Sequence, residues 1–283
     1  MTNSRGGVVG SCALCGPDND EQRVLRDSHF LMRSAYKHFN RAKADNTRLL
    51  LSKEGRKVLS LGKQITQCLL CDDCEQLMRD KGEDYAAVAL QKIDIEKTLP
   101  PPLFRTLHQS LLPIWNSFRP GPVYGPNLIL TAGSGLLQSI ESEELYHYAL
   151  GFFWKATLKG WPSCPPMPLD PELIEEMRRF LKGGEFVTGH IVRIVPSFWR
   201  HRHMATFPFL VEGRPFFSLL QFDFHLERSE SEYASAMAMG SVPLLYTVDS
   251  MRSERCYRAI VAHYKAAEQT ASSASTELSW LDQ

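Results

Sequence analysis

Two cysteine pairs, Cys12-x-x-Cys15 and Cys71-x-x-Cys74, are the residues of this 283-residue chain whose type and spacing point most directly to chemistry. A Cys-x-x-Cys turn brings two thiolates within about 2.3 Å of a shared cation, and two such turns complete the tetrahedral S4 shell of a structural zinc ion. Cys68-x-x-Cys71 overlaps the second pair and offers a competing register in which Cys68 replaces one ligand. The Cys71 and Cys74 register is preferred, because Asp72 and Asp73 form a turn that opens a helix while Gln67 to Leu70 reads as strand. Seven cysteines, an odd count, do not make the disulfide framework of a short secreted chain, so a reducing cytoplasm is expected. The residues after Met1 are small and polar, and no apolar run reaches about 18 residues, so neither export nor a membrane span is expected.

Hydrophobic residues make up 43% of the chain and the formal net charge is zero, which suits one or two globular domains and singles out no class of partner. The distribution of charge says more than the total. From Arg23 to Lys63 there are eleven Lys and Arg against three acidic residues, a balance of +8, whereas from Gln67 to Thr98 four basic residues meet eight acidic ones, a balance of −4. The basic segment 23–63 admits two readings: second-shell cations around a Zn(Cys)4 centre whose formal charge is −2, or a surface for a nucleic-acid backbone.

These ligands need elements to position them. Ser28 is a candidate N-cap for a helix from about His29 to Lys43, with Phe30, Leu31, Ala35, Tyr36 and Phe39 on one apolar face. Residues 47–52 and 57–61 flank a glycine-bearing turn and read as a hairpin. A helix starts near Asp72, since Asp72, Asp73 and Glu75 suit the positive end of its dipole. The order is cysteine turn, His-bearing segment, hairpin, cysteine turn, helix.

That order, carried by Cys12-Ala-Leu-Cys15-Gly16, Ser28-His29-Phe30, Leu69-Leu70-Cys71 with Cys74-Glu75, and Gly82 to Tyr85, resembles the treble-clef zinc fold of HNH-type endonucleases. More narrowly it resembles a group of bacterial and phage proteins whose N-terminus reads as such a module. The resemblance covers about the first 95 residues. It implies that His29 is the general base that activates water against phosphorus, and that Thr66 and Glu75 occupy the positions from which the family holds a second metal, Mg2+ or Mn2+. The family has Asn at the first of these, His or Asn at the second, and Asp where this chain has Ser28.

Beyond residue 97 the run Leu99 to Pro102 breaks any helix and marks a boundary, giving an expected zinc module at 1–97 and a second domain at 98–283. Glu141 to Leu158 reads as a buried helix. Asp170 is a predicted N-cap with Pro171 at the first helical position, and Gly183-Gly184 ends that helix. Strands are predicted over 186–195, 205–211, 216–224 and 243–248, with a tight turn at Glu212-Gly213-Arg214, and a closing helix over 253–267. His201 and His203, between arginines, form a candidate phosphate or metal contact, while Gly133-Ser134-Gly135 reads as a turn rather than a phosphate loop. The expected fold class is α+β, a treble-clef module followed by helices and an antiparallel sheet. The expected function is that of a zinc-binding, HNH-like protein acting on or with nucleic acid, as a divalent-metal-dependent endonuclease if the site is active. The alternative is a non-catalytic module for protein interaction or DNA binding.

Overall fold

In a computed structural model of the protein, the described residues are 8–16, 21–41, 48–52, 57–60, 64–91, 102–103, 105–107, 128–161, 165–196, 205–248 and 255–262. Outside them lie the turn of the predicted hairpin, the run from Leu99 to Pro101, the His201 and His203 constellation, and the C-terminal tail. The fold is α+β. A three-stranded antiparallel sheet is built from β1 (Val8–Gly10), β2 (Arg23–His29) and β5 (Thr66–Cys71). The predicted hairpin forms β3 (Arg48–Ser52) and β4 (Lys57–Ser60). It joins the edge of a second, nine-stranded sheet that also contains β6 (Leu128–Thr131), β7 (His190–Pro196), β8 (Ala205–Thr206), β9 (Phe209–Val211), β10 (Arg214–Leu219), β11 (Phe222–Arg228) and β12 (Leu244–Val248). Most pairings are antiparallel, but β3 with β8 and β7 with β12 run parallel, which side-chain patterning does not encode.

The helix expected from His29 begins later, as α1 (Arg33–Arg41). Ser28 is not its N-cap, and His29 does not lie in its first turn. The ladder between β2 and β5 runs on to pair His29 with Thr66, so both residues are extended, and the Ser28 hydroxyl turns into the protein, fully buried. The predicted helix after Cys71 is present as α2 (Asp72–Met78), with Asp72, Asp73 and Glu75 in its first turn. A π-turn over Arg79–Glu83 then leads into α3 (Asp84–Gln91).

Helix α4 (Ser142–Thr157) lies at the centre of the molecule. Its sequence is apolar around nearly the whole circumference, the pattern of a helix enclosed on every side, and Leu145 through Ala156 are all buried. Phe152 and Phe153 face Phe217 of the large sheet, with ring centroids 4.5 and 5.0 Å apart. On another side Phe152 meets Phe30, whose ring stacks on Phe207 and meets Trp161 edge-on at 5.0 Å. On a third, Gly82 of the π-turn presses so closely that an added Cβ would lie 2.8 Å from the Tyr148 backbone nitrogen. One cluster of buried side chains therefore runs from Cys12 to Tyr246, across residue 97. Burying a ring such as Phe30 contributes about 1.5–3 kcal/mol, so this junction is a substantial part of the stability.

Helix α5 (Pro171–Leu181) starts as read from the sequence, with the Asp170 carboxylate accepting the Glu172 amide at 3.0 Å. The turn at Glu212 and Gly213 is present too, both residues having positive φ. The run 216–224 is instead two strands, joined through Leu220 at φ 57°. Burial of the Leu220 side chain offsets the roughly 1–2 kcal/mol cost of a left-handed residue, and no glycine announces the turn. Helix α6 (Glu230–Ala238) precedes β12, and a helix over 255–262 packs Cys256 and Ile260 on Phe209 and Phe216. Among the described residues, no helix is long and apolar enough to cross a membrane.

His147 on α4 shows what this enclosure does to a titratable group. Burial pushes its imidazole down to about 4 from 6.5, and its Nε2 lies 3.4 Å from the Leu181 carbonyl. The unfolded chain binds the proton first, so stability is retained above pH 6.5 and is lost as pH falls toward 4, by a total of about 3 kcal/mol. Denaturant unfolding of His147→Gln across that range is expected to show a correspondingly shallower loss than wild type.

Candidate metal centre

The first cysteine turn spans Ser11 to Gly16. The Gly16 amide donates to the Cys12 carbonyl at 3.2 Å, and Gly16 has φ +87°, a conformation that suits glycine. The turn is seated by an irregularity in the neighbouring strand. Between Arg26 and Asp27 the register of β2 on β5 shifts, from Leu70 opposite Arg26 to Cys68 opposite Asp27, leaving Leu69 as an extra residue. The Leu69 carbonyl accepts the Ala13 amide at 3.0 Å. The bulge thus ties a turn at residue 13 to a strand more than fifty positions away in sequence.

The second pair straddles the junction of β5 and α2. Cys71 ends the strand and precedes the first helical residue, and Cys74 lies in the first turn of the helix, so both sulfurs face the first turn. All four ligand atoms of Cys12, Cys15, Cys71 and Cys74 lie within 4.8 Å of one another. Cys15 Sγ is 3.8 Å from Cys71 Sγ and 3.6 Å from Cys74 Sγ, too far for a disulfide and close to the roughly 3.8 Å edge of a tetrahedron with 2.3 Å metal–sulfur bonds. Cys12, Cys71 and Cys74 are buried and Cys15 is half-buried. Four sulfurs, closed on one point and largely out of water, could hold a metal and are compatible with structural zinc.

The register question is resolved by position. Cys68 stands apart from the cluster, its sulfur donating to the Asp27 carboxylate at 3.5 Å.

The electrostatics of the cluster also favour a cation. Hydrogen bonding from Cys74 holds the Cys12 thiol down to about 4, aided by the backbone amides of Cys71 and Cys15. The same pairing pushes Cys74 well above the ordinary thiol range, and burial raises Cys15. Ionisation at Cys12 opposes that of Cys15 and Cys74, whereas a divalent ion allows all four thiols to ionise. Arg23 Nη1, 3.8 Å from Cys71 Sγ and 3.4 Å from Asp73, adds a nearby positive charge.

Of the positions expected to carry catalysis, only Glu75 adjoins a cysteine ligand, Cys74, whereas His29 and Thr66 lie at the opposite end of the β2 and β5 ladder from Cys71. His29 and Thr66 are cross-strand partners at the end of the β2 and β5 ladder, and Glu75 sits in the first turn of α2. Their bonds run to other residues. His29 Nε2 is 2.7 Å from the Gln64 side-chain oxygen, and the Glu75 carboxylate accepts a short hydrogen bond from the Ser28 hydroxyl. Burial raises the Glu75 carboxyl, opposed by Lys155 and by the Ser28 bond. Lys155 is a functional neighbour that the sequence reading missed. Its ammonium, 3% exposed, donates to Glu83 at 2.7 Å and to the His29 carbonyl at 3.2 Å. The signal was a lone lysine inside Phe152-Phe153-Trp154-Lys155-Ala156, since a charge in so apolar a helix must find a partner.

Among the described residues, the four cysteines are the group of three or more His, Cys, Asp and Glu ligand atoms close enough to share an ion. Comparison with protein-family models, curated proteins and solved structures finds no match to this chain.

Replacement of Cys71 or Cys74 by Ser is expected to weaken divalent-metal binding by more than the 10- to 100-fold that loss of an outer-shell partner costs. Cys68→Ser should bind as wild type does. Chelator competition measures both, and equal losses at Cys68 and Cys71 would return Cys68 to the ligand set.

Proposed function

We propose that the chain is a zinc-stabilised, HNH-like treble-clef protein that works with nucleic acid as a binding module and performs no phosphodiester hydrolysis. The observation that carries the non-catalytic reading is the environment of Glu75. A carboxylate that is to hold Mg2+ or Mn2+ needs free oxygen lone pairs and no competing cation. Glu75 is instead engaged by the Ser28 hydroxyl, and burial raises its carboxyl despite the opposing ammonium of Lys155, which is itself paired with Glu83. The ring of His29, the base in the endonuclease reading, is engaged by Gln64.

The four cysteines support zinc as the stabilising ion, because a closed S4 set leaves no position for substrate. The basic segment divides between the two roles open to it. Arg23 and Arg26 pair with Asp73 and Asp72 at the start of α2, at 3.4 and 2.9 Å, and so serve the fold around the centre. Arg33 and Lys37, one helical turn apart and both exposed, remain on the outer face of α1 for phosphates. A protein partner is favoured by one observation instead: Val8, Val9 and Val24 on the edge hairpin are 55%, 62% and 52% exposed.

A salt-dependent titration with duplex and single-stranded DNA and RNA tests this reading. Binding is expected to weaken with salt, and Arg33→Gln with Lys37→Gln should reduce the logarithmic slope by about 1–2 while Arg26→Gln leaves it unchanged. Nicking in Mg2+ or Mn2+ that His29→Ala abolishes without loss of zinc would establish the endonuclease in its place. Absence of binding at low salt would direct attention to the valine edge and a protein partner.

A further inference from the structure

Arg178, on α5, reaches the first cysteine turn from more than 160 residues away in sequence. Its Nη1 donates to the Leu14 carbonyl at 3.1 Å and to the Cys15 carbonyl at 3.2 Å. Its Nε and Nη2 grip the two oxygens of Glu175 at 2.7 and 2.6 Å, which fixes the fork and aims Nη1 at the turn. The side chain is 14% exposed, and a Cβ at Gly16 would lie 2.5 Å from Nη1, so the guanidinium lies directly against the turn.

Two successive peptide planes carry this contact into the turn. The Leu14 carbonyl and the Cys15 amide belong to one trans peptide unit, whose C=O and N–H point in opposite directions. With the carbonyl held by Arg178, the Cys15 amide is directed away from the guanidinium. The next unit repeats the arrangement: the Cys15 carbonyl faces Arg178, and the Gly16 amide donates to the Cys12 carbonyl at 3.2 Å. Arg178 thereby fixes the peptide planes on either side of the Cys15 Cα, the second of which bonds back to the backbone of Cys12.

We infer that Arg178 is a positioning residue for the metal centre, raising the affinity of Cys12 and Cys15 for the ion through the two carbonyls that flank the Cys15 Cα. The inference rests on the zinc reading of the four cysteines. Linkage makes it reciprocal: whatever factor Arg178 adds to metal affinity, the bound metal adds to the docking of α5. Lys155 supplies the control, because it also ties the second half of the chain to a backbone carbonyl, but to that of His29 rather than the cysteine turn.

The test is Co2+ binding to the full chain under chelator competition, read by the absorption bands of a tetrahedral thiolate site. Wild type is expected to bind one Co2+. Arg178→Gln should keep the band shape and lose about 10- to 100-fold in affinity, with Arg178→Lys, which keeps the charge without the fork, in between. Lys155→Met should melt at lower temperature yet bind Co2+ as wild type does. In wild type, metal removal should speed amide exchange over residues 171–181 as well as at the cysteine turns, a readout that needs no variant. The inference is overturned if the Arg178 variants bind Co2+ as tightly as wild type, if Lys155→Met loses as much affinity as Arg178→Gln, or if exchange over 171–181 ignores the metal. A wild-type chain that binds no Co2+ would sink the zinc reading itself and the inference with it.

Discussion

Four thiols crowded within 4.8 Å of one another, three of them buried, cannot all ionise unless a cation sits between them. That constraint organises the N-terminal half. It requires a turn near residue 12 to meet a strand end at residue 71, and the bulge at Leu69 provides the meeting point by turning one unpaired carbonyl toward Ala13. The pairing of β2 with β5 that frames the bulge also delivers Ser28 to Glu75 and His29 to Thr66. The cysteine cluster and the placement of Ser28, His29 and Thr66 are thus two products of one ladder.

The second half of the chain holds this unit by its backbone. Arg178 takes the carbonyls of Leu14 and Cys15, Lys155 takes that of His29, and Phe30 is enclosed by Phe152, Trp161 and Phe207. Both cations are themselves balanced by a carboxylate, Glu175 and Glu83, which is what makes a buried or half-buried charge tolerable. The same closure reaches His29 and Glu75: Ser28 bonds the Glu75 carboxylate, Gln64 the His29 ring and Lys155 the His29 carbonyl.

How much of this was legible in the sequence depended on how local the signal was. The cysteine spacing, the acidic start of α2, the Asp170 and Pro171 start of α5 and the Glu212-Gly213 turn are each set by neighbouring residues, and all are present. The segment from Ser28 to Met32 misled because its apolar residues suit a helix face, while the partner that keeps Ser28 and His29 extended is β5, almost forty residues on. The break at Leu220 and the parallel pairing of β12 with β7 depend on burial and sheet order, for which no turn residue or period stands as a sign. Arg178 was hidden for the same reason, since nothing in Arg178-Arg179 distinguishes the guanidinium that reaches a cysteine turn from one in water.

The central claim is that Cys12, Cys15, Cys71 and Cys74 jointly bind one zinc ion. Native mass spectrometry combined with thiol alkylation tests it most directly. The account predicts one zinc per chain, with these four sulfurs unreactive until a chelator removes the ion and Cys68 reactive throughout. A chain that carries no zinc and whose four cysteines alkylate as readily as Cys68, or one in which they are joined as disulfides, would contradict it.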